Sequence, residues 1–339
     1  MINKFDNKKI TQQFKDLTTK YEKLGLNLTQ ALELLLKEMN IPYLSISYRI
    51  KESDSFIGKI ERKNYLKPFE EIEDICGVRI ICYYQSDVEK IKNVIFKELD
   101  VIDDENKEEN LEFDQFGYRS MHFIVKIKKN WLNTPNYRGL ENLKAELQIR
   151  TILMHAWAEI EHKLAYKSKS QIPKEFRRKL SRISAKLEES DEQFEDIKNL
   201  IEQNKTALIE SANESEKFDS SVEFNLDNLQ AFLDYAFPDR DKDIKLTRGL
   251  FEEMIENNIS LKTLSEGFEK TKKILRDVEK EGASLFFKET YDDNILYLIQ
   301  VGAARMILDL VDEQYFNSRI QFKDEEDIEL TNKYKSLLK

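Results

Sequence analysis

Three short segments in which apolar and polar residues alternate constrain the fold of this chain more than any other feature of the sequence. They lie at residues 44–51, 118–128 and 143–150, and alternation with a period of two is the pattern of a β-strand with one polar face. A fourth segment, 77–84, is apolar at most positions, as in a buried strand. The segment 103–116 is acidic and poor in apolar residues, and we expect it to be a mobile loop. Most of the remaining chain has helical spacing, so we expect a single β-sheet among helices.

Composition agrees with a fold rich in helices. The 339 residues include only nine glycines and five prolines, the two residue types that most disfavour helix interiors. We predict an α+β protein in which residues 1–210 form a mixed β-sheet flanked by helices. A Ser- and acid-rich linker is expected at 211–225, followed by an all-helical region at 226–339 with a regulatory or interaction role. Within that last region, helix breaks are expected near Gly249 and Gly282.

The formal net charge of −10 limits the partners of this chain. The surface as a whole repels nucleic acid and anionic membranes, so an anionic substrate requires a local basic cluster. Cys76 and Cys82 are the only cysteines, and without CxxC spacing they are interpreted as reduced thiols of the core. No stretch approaches the roughly 18 apolar residues of a membrane span. We therefore expect a cytoplasmic protein that does not bind membranes.

Two acidic residues occupy informative positions beside the predicted strands. Asp74 directly precedes the buried segment, and Glu146 lies on the polar face of 143–150. Two carboxylates that converge on one face can hold Mg²⁺ together with substrate phosphates. Taken singly, Asp74 is better explained as a turn residue at the strand entry, and Glu146 as an ion-pair partner of Arg150 or Lys144. The flanking cations would form a basic pocket or an ordinary solvated face, and they are Arg49, Lys51, Lys59, Lys63 and Arg79.

Aromatic and histidine residues give weaker signals. Tyr118 follows a glycine where a loop meets a predicted strand, a position from which it can stack on a nucleobase or pack at the sheet edge. The three histidines are His122, His155 and His162. The HExxH zinc pattern is absent, and so are the P-loop and GxGxxG phosphate-binding patterns. Substrate-orienting or structural histidines are therefore favoured over a zinc site.

Four segments, in order, resemble the synthetase domain of the RelA/SpoT alarmone synthetase family. They are YRIKESDSFIGKIERK (48–63), DICGVRIICYY (74–84), FGYRSMHFIV (116–125) and AELQIRTILMHAWAEIEHKLAYK (145–167). The resemblance covers roughly residues 20–210. It implies a nucleotidyltransferase-like sheet with flanking helices, and transfer of the β,γ-pyrophosphate of ATP to the 3′-hydroxyl of GTP or GDP to make (p)ppGpp.

The resemblance also implies residue roles. Asp74 and Glu146 would bind Mg²⁺, with Glu146 alternatively taking the proton of the attacking hydroxyl, and Arg79 would assist at the donor side. The ATP phosphates would be held by Arg49, Lys51, Ser55 and Lys59. The acceptor would be bound by Tyr118, which stacks on guanine, and by Arg119, His122, Gln148, Arg150 and His155.

One departure from the family pattern concerns the acceptor. Guanosine-using members usually carry a lysine three residues before the glycine of the GYRS motif, where this chain has Asp114. A carboxylate there repels guanine nucleotide phosphates by an amount on the order of 1 kcal/mol. The alternatives are the same chemistry on an adenine nucleotide or, as in a toxin, on the tRNA 3′ end, and a catalytically inactive binding protein.

Two further expectations concern organisation. The roughly 40 residues before Arg49 are too few for the metal-dependent hydrolase domain of the long members, so we expect no alarmone hydrolysis. The helical region 226–339 is expected to contact the catalytic domain and lower its activity. The sequence leaves the oligomeric state open, and a homo-oligomer is compatible with it.

Overall fold

The chain forms two compact units, Met1–Ile197 and Lys198–Lys339. In the computed structural model, the described residues are 7–63, 65–106, 120–164, 174–287 and 298–338. The division into domains at 210 and 226 stays a prediction, because a single long helix, Lys174–Ser215, contributes to both units and includes the first residues of the expected linker.

The first unit contains the predicted mixed sheet. Its strands are β1 (Ser45–Ile50), β2 (Cys76–Cys82), β3 (Asp100–Asn106), β4 (Met121–Lys126) and β5 (Ala145–Thr151). Their spatial order is β1-β2-β5-β4-β3. The central strands β2 and β5 run parallel, and every other neighbouring pair is antiparallel. The predicted fold class is therefore confirmed.

Six helices accompany these strands in the described part of the chain. They are α1 (Asn7–Glu38), α2 (Ser53–Lys63), α3 (Pro68–Glu71), α4 (Gln85–Glu98), α5 (Ile152–Leu164) and α6 (Lys174–Ser215). Helix α1 buries leucines at four-residue intervals, and α4 buries Val88, Ile91 and Ile95. These side chains share one core cluster with the even-numbered residues Val78 and Ile80 of β2. One face of the sheet is thus apolar and covered, which leaves the other face for polar residues.

The two cysteines belong to that core. Cys76 and Cys82 are both buried free thiols, as the sequence predicted. Burial raises the pKa of each to about 12, so neither forms the reactive thiolate at neutral pH.

Strand β3 was not predicted, and the expectation of a loop from residue 103 is wrong as far as Asn106. Residues 107–116 lie outside the described residues. The sequence DVIDDEN is rich in acidic residues, which favour loops over strands. The strand forms at the edge of the sheet, where it pairs only with β4 among the described strands and is irregular between Val101 and Asp103. Charges are tolerated and even favoured on such an edge.

Gly25 of α1 allows this helix to approach the sheet. A Cβ atom at this position would overlap the ring of Tyr48 in β1. We expect Gly25→Ala to lower the free energy of unfolding by about 1–3 kcal/mol, as for overpacking in other cores, measured by urea denaturation. Gly58→Ala is the matched control because an added Cβ there meets nothing within 4 Å, and equal losses in both variants would contradict this explanation.

Asp191 of α6 gives the first unit a specific dependence of stability on pH. Its side chain is buried, and Thr151 Oγ1 donates a hydrogen bond to its Oδ2 at 2.5 Å. Burial, with a further contribution from Glu195, raises the pKa of Asp191 to about 7, far above about 3.9 for an unfolded chain. The folded state therefore favours the protonated form, and the contribution of Asp191 to stability is lost as the pH rises from about 4 to 7.

We accordingly expect Asp191→Asn to be more stable than the wild type at pH 8, by about 1–3 kcal/mol, and to lose most of that advantage at pH 5. Thermal unfolding of both proteins across this pH range measures the difference. An advantage of the same size at every pH would show that ionisation is not its cause.

The second unit is helical throughout its described part, as predicted. Its further helices are α7 (Leu226–Ala236), α8 (Ile244–Glu256), α9 (Leu261–Thr271), α10 (Leu275–Phe287), α11 (Gln300–Val311), α12 (Glu313–Arg319) and α13 (Glu325–Leu337). The breaks expected at Gly249 and Gly282 are wrong, because both glycines lie inside helices α8 and α10. A single helical glycine costs only about 1 kcal/mol, and tertiary packing exceeds that cost. Among the described helices, none has the length and apolar character needed to cross a bilayer.

Candidate active site

The polar face of the sheet carries two rows of residues that cross four strands. In the first row, Gly77 lies between Arg49 and Glu146 in the strand register, and Ile124 follows on β4. The second row consists of Ser47, Arg79, Gln148 and His122. The Arg49 side chain lies over Gly77, where an added Cβ atom would meet Arg49 Cγ at 3.7 Å.

Asp74 lies just before β2 and is held by two lysines. Its Oδ2 accepts from Lys51 Nζ at 2.6 Å and pairs with Lys59 Nζ at 3.0 Å. Burial by itself raises the pKa of Asp74, but the two lysines outweigh it, and the pKa lies below its ordinary value. Oδ1 is buried and has no hydrogen-bond partner among the described residues. Asp74 is thus an ionised carboxylate with one oxygen available for a cation.

Glu146 belongs to a continuous row of hydrogen-bonded side chains. His122 Nδ1 lies 2.8 Å from Glu146 Oε1, and Gln148 Nε2 donates to Glu146 Oε2 at 2.9 Å. Arg150 Nη2 donates to Gln148 Oε1 at 2.9 Å, and Ser120 Oγ lies 2.7 Å from His122 Nε2. These contacts fix both oxygens of Glu146. Ser120 was not identified from the sequence, although it lies two residues before His122.

Asp74 and Glu146 line the same cavity of about 260 Å³. The other lining residues are Lys59, Tyr65, Glu71, Glu73, Asp103, His122 and Ile124. Among these, only Lys59 and His122 were predicted from the sequence. Within the described residues, no group of three or more His, Cys, Asp or Glu side chains could hold a metal by itself.

A second depression of about 230 Å³ lies on the same face, towards β1. Arg49, Arg79, Gln148 and Glu159 are among its lining residues. Arg79 Nη1 donates to Glu159 Oε1 at 2.9 Å. Glu159 was not assigned to this face from the sequence. It lies one helical turn after His155, which places both on one side of α5, and this spacing is the signal that could have found it.

Arg150 adds positive charge near Arg49 and Arg79, the two arginines of this second depression. Burial, followed by repulsion from Arg79, lowers the pKa of Arg150 to about 10, and Arg49 adds to the repulsion. Burial and then Arg79 also lower the pKa of His155, whose Nδ1 lies 3.9 Å from Glu159 Oε1. Arginines that repel one another in a partly buried position are favourable for a polyanion. The structure thus has an arginine-rich depression beside a carboxylate-lined cavity.

Not every predicted site residue is placed. Tyr118, Arg119 and Asp114 lie outside the described residues. Ser55 is exposed on the first turn of α2. The predictions about acceptor binding by Tyr118 and Arg119 therefore stay predictions.

Comparisons with known proteins identify the family. Residues 48–171 match the family model described as a region found in RelA / SpoT proteins. The chain is 30% identical to GTP pyrophosphokinase YjbM of Bacillus subtilis over 177 residues, which are 52% of this chain and 82% of that protein. It is 34% identical to GTP pyrophosphokinase YwaC of the same organism over 158 residues, or 45% and 73% of the two chains.

Among solved structures, the crystal structure of small alarmone synthetase 1 from Bacillus subtilis matches with a TM-score of 0.49 and 28% identity, covering 56% of this chain and 98% of that one. The family match lies within the unit that carries the sheet and its polar face. The chain belongs to the RelA/SpoT family and is a transferase of the pyrophosphokinase class.

Proposed function

We propose that this protein transfers the β,γ-pyrophosphate of ATP to the 3′-hydroxyl of GTP or GDP, making (p)ppGpp, and that it requires Mg²⁺. The observation that carries the proposal is the cavity shared by Asp74 and Glu146 beside a depression rich in arginine. Two relatives named GTP pyrophosphokinases support the guanine acceptor.

Asp74 and Glu146 would hold the Mg²⁺ ion. When bound, the ion neutralises charge on the transferred phosphates, which is the main requirement of phosphoryl-type transfer. The unpartnered Oδ1 of Asp74 fits this role, since Lys51 and Lys59 occupy only Oδ2. These lysines keep the carboxylate ionised and remain near enough to contact phosphate oxygens themselves.

The donor nucleotide would lie along the side of β1 and β2. Arg49, Lys51, Ser55 and Lys59 would hold the phosphates of ATP, with Arg79 close to the bond that breaks. Arg79 is bound to Glu159, which is half exposed. Because an ion pair of this exposure contributes little to stability, a phosphate can replace Glu159 at small cost.

The acceptor hydroxyl would approach from the side of β4. Its 3′-oxygen bonds to the β-phosphorus while the bond from that phosphorus to the oxygen of the α-phosphate breaks, and AMP leaves. Glu146 would take the hydroxyl proton if it does not bind the metal. His122 and Gln148 hold the two oxygens of Glu146, so the carboxylate needs no reorientation before the reaction.

Asp114 keeps other acceptors open, because its negative charge disfavours the phosphates of GTP and GDP, but it favours neither alternative over the other. The alternatives are an adenine nucleotide and the tRNA 3′ end. Incubation with ATP labelled at the γ-phosphate and Mg²⁺, against GDP, GTP, ATP and bulk tRNA in parallel, separates them. We expect label on the guanine nucleotides, and label found only on tRNA or on an adenine nucleotide would overturn the proposed acceptor.

A further inference from the structure

A cavity of about 390 Å³ lies within the second unit, outside the region matched by the family model. Residues of α10, α11 and α13 line it, together with Leu298, Arg319 and Lys323. Its volume lies in the range of about 300–1,000 Å³ found for sites that bind small molecules. None of its residues belongs to the proposed active site.

Most of the cavity wall is apolar. The apolar side chains are Val278, Ala283, Leu298, Met306, Leu310 and Leu330. Gly282 and Gly302 widen the space, since a Cβ atom at either position would come within 3.3–3.4 Å of a neighbouring leucine. An apolar ligand body can therefore be accommodated between the helices.

The cations in the lining already have acidic partners. Arg305 forms two hydrogen bonds with Glu253. Arg319 Nη1 and Lys323 Nζ each lie 2.9 Å from the same oxygen of Asp309, Oδ2. An anionic ligand would have to displace these acids, and each displacement would leave a partly buried charge without its partner.

One hydrogen-bond acceptor of the lining, in contrast, has no donor in the part of the chain that the structure describes. Asp309 is only 4% exposed, and its Oδ1 is buried without a partner among the described residues. Asp327 lines the same cavity. Burial raises the pKa of Asp327, and the carboxylates of Asp324 and Asp309 add to this although Lys323 and Arg319 oppose it. A buried acceptor that lacks a donor is unfavourable, so Asp309 Oδ1 favours a ligand that brings a hydrogen-bond donor.

We propose that this cavity binds a small molecule with an apolar body and a protonated primary amine. The ammonium group donates to Asp309 Oδ1 and lies near Asp327, while the apolar body packs against α10 and α13. This site is separate from pyrophosphate transfer and does not depend on the identity of the acceptor.

The test uses the full chain and three probes of one shape: cyclohexylmethylamine, cyclohexylmethanol and cyclohexanecarboxylate. Saturation-transfer NMR and calorimetric titration measure their binding. We expect the amine to bind at least about tenfold more tightly than the alcohol, the ratio that one charge-assisted hydrogen bond provides, and the carboxylate not to bind. Equal binding of the three probes, or no binding of the amine, would overturn the proposal.

Variants locate the binding. Asp309→Asn is expected to weaken amine binding at least about tenfold, and Asp327→Asn to weaken it less. Ala283→Leu fills the cavity, leaves every ion pair intact, and should abolish binding, so it carries the test if Asp309→Asn does not fold. Glu256→Gln, a change at an exposed residue of α8, is the control. Binding to Ala283→Leu that equals binding to the wild type would show that this cavity is not the site.

Discussion

Asp74→Asn is expected to lower kcat for pyrophosphate transfer by about 10²- to 10⁴-fold, because it removes the charge that holds the metal and orients two lysines. The amide keeps the size of the side chain, so packing before β2 is preserved. Lys51 and Lys59, which share Asp74 Oδ2 in the wild type, would then repel each other, and the concentration of Mg²⁺ needed for half-maximal rate should rise.

Initial rates at saturating ATP over a Mg²⁺ titration measure both effects, and circular dichroism checks the fold. Glu89→Gln is the matched control, since Glu89 is 55% exposed on α4, the helix that covers the apolar face. A rate and a Mg²⁺ dependence that both equal those of the wild type would remove Asp74 from the proposed site.

Glu146→Gln is expected to lower kcat by about 10²- to 10⁴-fold, with a much smaller effect on the KM for ATP. The KM for ATP should change little because, in the proposal, the arginines and lysines on the side of β1 bind the donor phosphates. The glutamine can keep one hydrogen bond with His122 or Gln148, so the side chain stays near its native position. The loss would therefore reflect the missing charge or base.

The two roles proposed for Glu146 give different results. If Glu146 binds Mg²⁺, Glu146→Gln should raise the Mg²⁺ requirement as Asp74→Asn does. If it accepts the proton, the Mg²⁺ requirement should stay unchanged and the acid limb of the pH profile of kcat should flatten. Wild-type activity at every pH and Mg²⁺ concentration would exclude both roles.

The sequence was sufficient to predict the face on which the candidate site lies. In a strand, alternate residues point to opposite sides, so Glu146, Gln148 and Arg150 had to share a face once residues 143–150 were identified as a strand. The same argument applies to Arg49 and Lys51. The alternation along each strand does not give the order or the register of the strands. The contact between His122 and Glu146 exists because β4 pairs with β5 so that His122 lies opposite Gln148.

Two features depended on tertiary structure that no local pattern contains. Strand β3 forms although its acids suggest a loop, because β4 supplies a ladder at the sheet edge. Glu159 reaches Arg79 because α5 follows β5 directly and turns over the polar face, bringing together residues that are 80 positions apart. Tyr118 is a different case. Its motif indicates a role in acceptor binding, and because Tyr118 lies outside the described residues that role stays a prediction.

The position of β5 has a consequence for the synthesis of this protein on the ribosome. Although β5 is the last strand made among the five, it lies between β2 and β4, and it carries Glu146. Until residues 145–151 have emerged and paired, β1 with β2 and β3 with β4 are two separate ribbons, each only marginally stable by itself. A nascent chain therefore cannot transfer pyrophosphate before its sheet is complete, and premature termination before β5 would release an inactive polypeptide.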